Sequence, residues 1–528
     1  MLILILDRYA ALKLSAGFPR GKNELIVSER INAQTTIMTV FKGFLRKPFG
    51  CTTPLTSAHT YNNIFRFSTI APVNPFPGVY TKESASGKKK LIIISLDWTR
   101  PKDPPLSIGH ASILASLQHH GIETFARSWA VNSPTFSPHP VRDFIMLHSH
   151  AQTAVAIGAF VWNEKAIQSI LTELKLLRFP GRIIIGGPQV SYVKKDVERF
   201  YPQADVFIRG YAENALVKLI QSEERFPSIR GVHYAGKPDL GLSAVADLEG
   251  LISPFLTGLI PPQRFIRWET QRGCPFRCAF CQHRESDVTM KRRQLSFSRI
   301  IQEAEWIGQN PIIQDISVLD NTFNSGPNYL DVLDKLIEVK YKGKIAFQCR
   351  IEMIKKEFLD KIVQLSDTAE VVLEFGLQTI HHQEQAIIDR PNNMKLVEKN
   401  LTEIHNRNIK CEVSLIFGLP SQTLTSFKQT IDFCLRHKVP TVKAFPLMLL
   451  RGTPLYDRKS ELGLVESYEV ASPDIDRLQV DIPHVVSSPS FTYEEWKEMA
   501  AMAACLEKKE LSSQVNEQSE AIRNIVAS

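Results

Sequence analysis

The sequence predicts an α/β protein: a doubly wound parallel sheet, then a partial (β/α)6 barrel, then a helical C-terminal tail. Three observations predict it. Strand-type apolar runs alternate with helical patterns from residue 91 to about 220, and a second alternation runs from 265 to about 449. Between them the stretch SPFLTGLIPPQRF (253–265) carries three prolines and reads as a linker. The 528 residues are too many for one compact core. The expected divisions are a basic, poorly patterned extension (1–86), a Rossmann-like domain (87–250), the linker (251–265), the barrel (266–460) and a helical region (461–528).

In the first unit LIIISLDW (91–98) is a continuous apolar run of buried-strand type, followed by IGHASILASLQHHGI, whose Ile108, Ile113, Leu114 and Leu117 share a helical face. Gly121 is the expected stop. AVAIGAFVW, RIIIGGPQVSY and DVFIRGYAENALVKLI continue the pattern. Such sheets take ligands at the carboxyl ends of their strands, where Gly186 and Gly187 would let a backbone approach one closely. A tight turn explains the pair about as well. In the second unit FIRWET, IIQDISVL, KIAFQC, VVLEFGL, CEVSLIFGL and TVKAFPLML give six strands, short of the eight in a closed barrel.

Charge narrows the function classes. Residues 1–90 hold 13 of the 63 Lys and Arg and 4 of the 55 Asp and Glu, so the remaining 50 and 51 nearly cancel. A neutral body gives no support for a nucleic-acid face. The extension is either loosely ordered or lies upstream of a later start near Met38; few acids with abundant Arg and Ser also permit an organelle transit peptide. No apolar run approaches the ~20 residues that span a bilayer, and a cytoplasmic protein is expected.

Of eight cysteines, three cluster in RGCPFRCAFCQHR (272–284): Cys274, Cys278 and Cys281. The scattered remainder suits a reducing compartment rather than a disulfide framework, and Cys349, Cys411 and Cys434 read as small buried apolar residues. The loop follows the first barrel strand, so it lies at the mouth where such folds keep their chemistry. Thiolate clusters suit zinc or iron–sulfur. Zinc needs a fourth ligand, and His283 stands too close to Cys281 for easy tetrahedral closure. A four-iron cluster on three thiolates leaves one iron open to a small molecule.

The C-x-x-x-C-x-x-C spacing in this context resembles the radical S-adenosylmethionine (SAM) superfamily over residues 264–455. The resemblance implies a [4Fe-4S] cluster, SAM bound at the open iron, and a 5′-deoxyadenosyl radical for C–H activation. It implies that Phe280 packs near the adenine, and it sets Asp320 in LDNTF where the methionyl amino group is contacted. Glu374 and Gln378 of LEFGLQT fall where ribose contacts are made. Arg390 resembles the arginine that pairs with the carboxylate, and Gly418, Leu419 and Pro420 resemble the adenine-binding strand end, with Gln422 where many members have Glu. The structural alternative for Asp320 is to cap a loop, and for Arg390 a surface ion pair. No catalytic residue is assigned.

Residues 87–250 resemble the cobalamin-binding-like domain that precedes many members, through FVWN (160–163), GGPQVSY and DVFIRGYAENAL. Glu213 fits that pattern and Tyr211 replaces an acid. The D-x-H-x-x-G histidine motif is absent, so a cobalamin at Gly186 and Gly187 would bind without it. The implied outcome is methylation of a small-molecule or natural-product carbon, or a cobalamin-free oxidation or cyclisation, fed by an electron donor such as flavodoxin or ferredoxin. A zinc-dependent nucleic-acid-binding protein is the competing class.

Overall fold

The computed structural model describes residues 90–150, 152–283, 293–468 and 482–511, without the side chains of 507–511. All lie in one compact unit, Thr81–Ser528. The expected basic extension lies outside the described residues.

The first sheet has six strands: β1 (Leu91–Asp97), β2 (Thr124–Ala130), β3 (Ala154–Gly158), β4 (Arg182–Gly186), β5 (Val206–Ile208) and β6 (Val232–Tyr234). Their order is β2-β1-β3-β4-β5-β6, parallel except for β6. This is a doubly wound order whose direction reverses at β1/β3. β1, β3 and β4 are uninterrupted apolar runs because helices cover both faces. Leu114, Leu117, Leu216 and Leu219 pack on one face; Val141, Ile145, Ile170 and Leu174 pack on the other. The edge strand β2 was not expected, since Arg127 and Ser128 interrupt its apolar pattern, and Arg127 stands exposed.

The second sheet contains β7 (Phe265–Trp268), β10 (Asp315–Val318), β11 (Lys344–Cys349), β12 (Glu370–Gln378), β13 (Lys410–Phe417) and β14 (Thr441–Pro446). A short ribbon, β8 (Gln271–Arg272) with β9 (Arg293–Gln294), lies between the first two in sequence. The order β14-β13-β12-β11-β10-β7 is wholly parallel, and β7 and β14 do not pair with each other. These are the six strands read from the sequence, in an open barrel. β12 shows why they were legible: Val371, Leu373, Phe375 and Leu377 are buried while their alternates are half-buried. The helices Phe297–Gln309, Tyr329–Glu338, Met394–Asn406 and Leu424–Arg436 alternate with these strands. The last opens with a reciprocal Thr423/Ser426 capping box. Lys356–Ser366, unexpected, buries Phe358, Leu359, Ile362 and Leu365.

Two expectations need correcting. The proline-bearing stretch is packed rather than free: Leu251, Phe255 and Ile260 join the barrel core, and Ser253 donates to Glu303 at 2.5 Å. The C-terminal region is not simply helical. Before the helix Tyr493–Leu511 comes an antiparallel ribbon, β15 (Val465–Ser467) with β16 (His484–Ser487), the latter built on the β-branched pair Val485–Val486. No described helix is long and apolar enough to cross a membrane.

Candidate functional site

The cysteine loop leaves the ribbon strand β8 at the carboxyl mouth of the barrel. Main-chain bonds hold its centre: Ala279 N–H donates to the Ile388 carbonyl at 2.7 Å, and Leu455 N–H to the Ala279 carbonyl at 3.0 Å. Each cysteine sulfur has a polar neighbour. Cys274 lies 3.7 Å from the Thr322 hydroxyl, Cys278 accepts from Arg390 Nη1 at 3.5 Å, and Cys281 accepts from the His283 backbone N–H at 3.3 Å. Burial pushes the Cys281 thiol up to about 12, and the charges of Cys278 and Cys274 push it the same way. Negative charge on neighbouring sulfurs is self-repelling, and a bound metal would reverse that preference by deprotonating the thiols that coordinate it.

The donor set fits a cluster better than a single ion. Among the described residues, no group of three His, Cys, Asp or Glu is placed to hold one metal ion. Zinc would need its sulfurs ~2.3 Å from one centre, whereas an iron–sulfur cluster spreads its thiolates over several irons. His283 is exposed and meets the loop through its backbone.

Arg390 is the best placed of the expected cofactor residues. Its Nη1 reaches Cys278, its Nη2 donates to the Gly376 carbonyl, and its buried Nε has no partner among the described residues. An arginine so fixed, with a donor to spare beside the thiols, suits a carboxylate. Gln378 sits at the end of β12 with positive φ, its amide beside Gly376. Glu374 does not stand at the strand end. It lies mid-strand in register with Gln348 and Glu412, and burial, then Glu412, raises its carboxyl above the usual range.

Asp320 is fully buried and already engaged. Its carboxylate accepts from Thr270 N–H at 2.8 Å, Gln271 N–H at 3.1 Å and the Thr270 hydroxyl. It braces the approach to the cysteine loop, which is the loop-capping role. Phe280 is half-buried against the barrel core. Gly418 takes φ +83°, and Gln422, fully buried, accepts from Gly418 N–H at 2.7 Å and Leu419 N–H at 3.1 Å. The amide oxygen of Gln422 thus shapes the GLP turn.

Residues 268–434 match the family model of the Radical SAM superfamily. The chain carries a radical SAM domain. It resembles the cobalamin-dependent radical SAM methyltransferase TokK of Streptomyces tokunonensis, 25% identical over 413 residues, which is 72% of this chain and 58% of that protein. It also resembles 2-(S-pantetheinyl)-carbapenam-3-carboxylate methyltransferase of Streptantibioticus cattleyicolor, 25% identical over 65% of this chain and 54% of the relative. The chain thus spans little more than half the length of these relatives. The solved structure of the radical SAM methyltransferase TsrM from Kitasatospora setae, with cobalamin and a [4Fe-4S] cluster bound, superposes with a TM-score of 0.60 at 13% identity. It covers 81% of this chain and 90% of TsrM, so the two share the fold of both sheets.

In front of the radical SAM domain, FVWN closes the β1/β3 switch point. Asn163 donates to the carbonyls of Leu96 and Gly158, both at 2.9 Å, while Trp162 stacks on Phe160. A cavity of about 220 Å³ opens beside it, walled by Phe136, Val161, Trp162 and Ala166 with Lys165 at the rim. The two glycines answer to the protein's own packing. A Cβ on Gly187 would lie 2.6 Å from the Ala159 carbonyl oxygen, and one on Gly186 would meet the Ile208 carbonyl at 3.5 Å. Both are packed against their own sheet. The loop after β1, which holds no histidine, turns to the barrel instead: Lys102 pairs with Asp315 at 3.0 Å and Asp103 with Arg267 at 2.8 Å.

Sequence reasoning missed several residues that shape the site. Arg350 lies over the Phe276 ring of the cysteine loop at 3.8 Å and donates to the Pro391 carbonyl at 2.8 Å. Thr322, inside the quoted LDNTF, is the member that approaches a cysteine. Arg272 and Gln282 flank the cysteines and reach distant parts of the chain, a property that no local pattern encodes.

Proposed function

We propose that this chain is a cobalamin-dependent radical SAM methyltransferase acting on a carbon of a small molecule. The observation that carries the reading is Arg390, held between Cys278 and Gly376 with a buried Nε unpaired among the described residues, at a loop that offers three thiols. The relatives named above support methylation as the outcome. When bound, the cluster would supply one electron to SAM, and cobalamin would carry the methyl group.

The chain's own residues bind, orient and exclude water. Cys274, Cys278 and Cys281 would hold the cluster, Arg390 the SAM carboxylate, and the GLP turn shaped by Gln422 the adenine. Asp320 and Arg350 keep the loop in register. The cavity beside Trp162 offers apolar walls to part of a corrinoid at the switch-point edge. An electron donor such as flavodoxin or ferredoxin, and a cytoplasmic setting, complete the reading.

The test is anaerobic reconstitution with iron, sulfide and hydroxocobalamin, followed by desalting, metal analysis and an absorbance spectrum. About four irons per chain with retained corrinoid supports the proposal. A colourless chain containing zinc overturns it. Label from the SAM methyl group, followed into products, then identifies the acceptor.

A further inference from the structure

Both ends of the cysteine loop are tied to the front sheet. At the start, Arg272 donates through Nη1 to Glu213 at 2.7 Å and through Nη2 to the Ser112 hydroxyl at 3.3 Å. Its Nε meets Glu269 at 3.0 Å. Arg272, Glu213 and Ser112 are all buried. At the end, Gln282 donates to the Arg451 carbonyl at 2.8 Å. The Arg451 side chain runs to Glu164 at 2.9 Å and lies over the Phe200 ring at 3.7 Å. Tyr201 donates to the other Glu164 oxygen at 3.0 Å.

The two carboxylates occupy equivalent places. Glu164 opens the helix after β3 and Glu213 sits in the first turn of the helix after β5. Both therefore stand at the carboxyl edge of the front sheet, the edge that takes ligands in this topology. Burying ion pairs is costly, and apolar contacts would join two domains as firmly. What charge pairs add is a fixed register between the partners, here between the ligand edge and the cysteines.

We infer that Glu213 and Glu164 are positioning residues that clamp the cysteine loop through Arg272 and through Arg451–Gln282, so that the front sheet sets the environment of the cluster. This rests on the cysteine loop holding a cluster, as proposed above. Asp239 provides a control. It makes a bidentate pair with the buried Arg209 in the same domain, at 2.8 and 2.7 Å, and has no polar contact with a described cysteine-loop residue.

The experiment reconstitutes wild type, Glu213→Gln, Glu164→Gln and Asp239→Asn with iron and sulfide. It compares thermal stability, iron content, the electron paramagnetic resonance spectrum of the reduced chain, and SAM affinity. The two Glu variants should keep their iron, show altered g-values and bind SAM about two- to thirtyfold more weakly, the range that residues along a coupling path produce. Asp239→Asn should lower Tm and leave spectrum and affinity unchanged. Unaltered spectrum and affinity in both Glu variants overturns the clamp, as does the same change in Asp239→Asn. If Glu213→Gln fails to fold, Glu213→Asp, with its charge set back by one methylene, must show the altered spectrum or the clamp fails. A wild-type chain that takes up no iron overturns the cluster reading before any variant is compared, and the clamp with it.

Discussion

Arg390 Nη1 donates to the sulfur of Cys278 across 3.5 Å, joining the segment after β12 to the cysteine loop. The same guanidinium is anchored on the Gly376 carbonyl, so its position does not depend on the thiol alone. Arg390→Lys would keep the charge and lose the fork that spans both partners. Iron loading should survive, since three thiols remain. SAM affinity should fall by about tenfold or more, the scale of one charge-assisted hydrogen bond. Equilibrium binding of SAM to the reconstituted variant measures it, and wild-type affinity would remove Arg390 from the carboxylate site.

Asp320 makes the stability of the chain depend on pH. Burial raises its carboxyl from 3.8 to about 7. The folded chain therefore keeps a proton between about 4 and 7 that the unfolded chain has lost. The favourable contribution is fully present below about pH 4 and disappears as pH rises through 7. His110 and His484, lowered to about 4 by burial, act oppositely, destabilising the fold as pH falls below 6.5. Asp320→Asn isolates the carboxyl. The Tm deficit of the variant relative to wild type should be larger at pH 5 than at pH 8, and a deficit independent of pH contradicts the shift.

The cysteines divide into two groups with different expected losses. Replacing Cys274, Cys278 and Cys281 together by Ala should abolish iron loading, because no other described residues offer a thiolate set. Cys349, Cys411 and Cys434 are buried in the barrel core, where burial pushes Cys411 and Cys434 up to about 12 and Cys349 also upward. Alanine at any one of them should cost ~1 kcal/mol of stability, read by denaturant unfolding, and leave iron content intact.

What the sequence made legible follows from periodicity and local spacing. The six barrel strands declare themselves because each alternates or runs apolar, and the cysteines because three fall within eight residues. Arg390 and the GLP turn were found through resemblance to other sequences. Residues joined across the fold were not legible: Arg272 meets Glu213 59 positions away, and Arg451 meets Glu164 287 positions away. Asp320 was visible by its type and place, and only the structure shows the three protein donors that its carboxylate already accepts from. Gly187 was visible in the same way. A positive φ at a strand end reads alike whether the space beside it belongs to a ligand or to Ala159.

That distinction gives the last test. Gly187→Ala forces a Cβ against the Ala159 backbone at φ +87°, a strain of ~1–3 kcal/mol. Its Tm should fall in the chain without corrinoid. Gly186→Ala meets only an ordinary contact with Ile208 and should lose little. Neither variant reports on the ligand. Ala166→Phe does, because Ala166 walls the cavity of about 220 Å³ beside Trp162. If that cavity receives part of the corrinoid, this variant should keep its Tm and iron yet retain less corrinoid after reconstitution with hydroxocobalamin and desalting. Full retention by Ala166→Phe, with wild type also binding, would move the corrinoid away from this cavity.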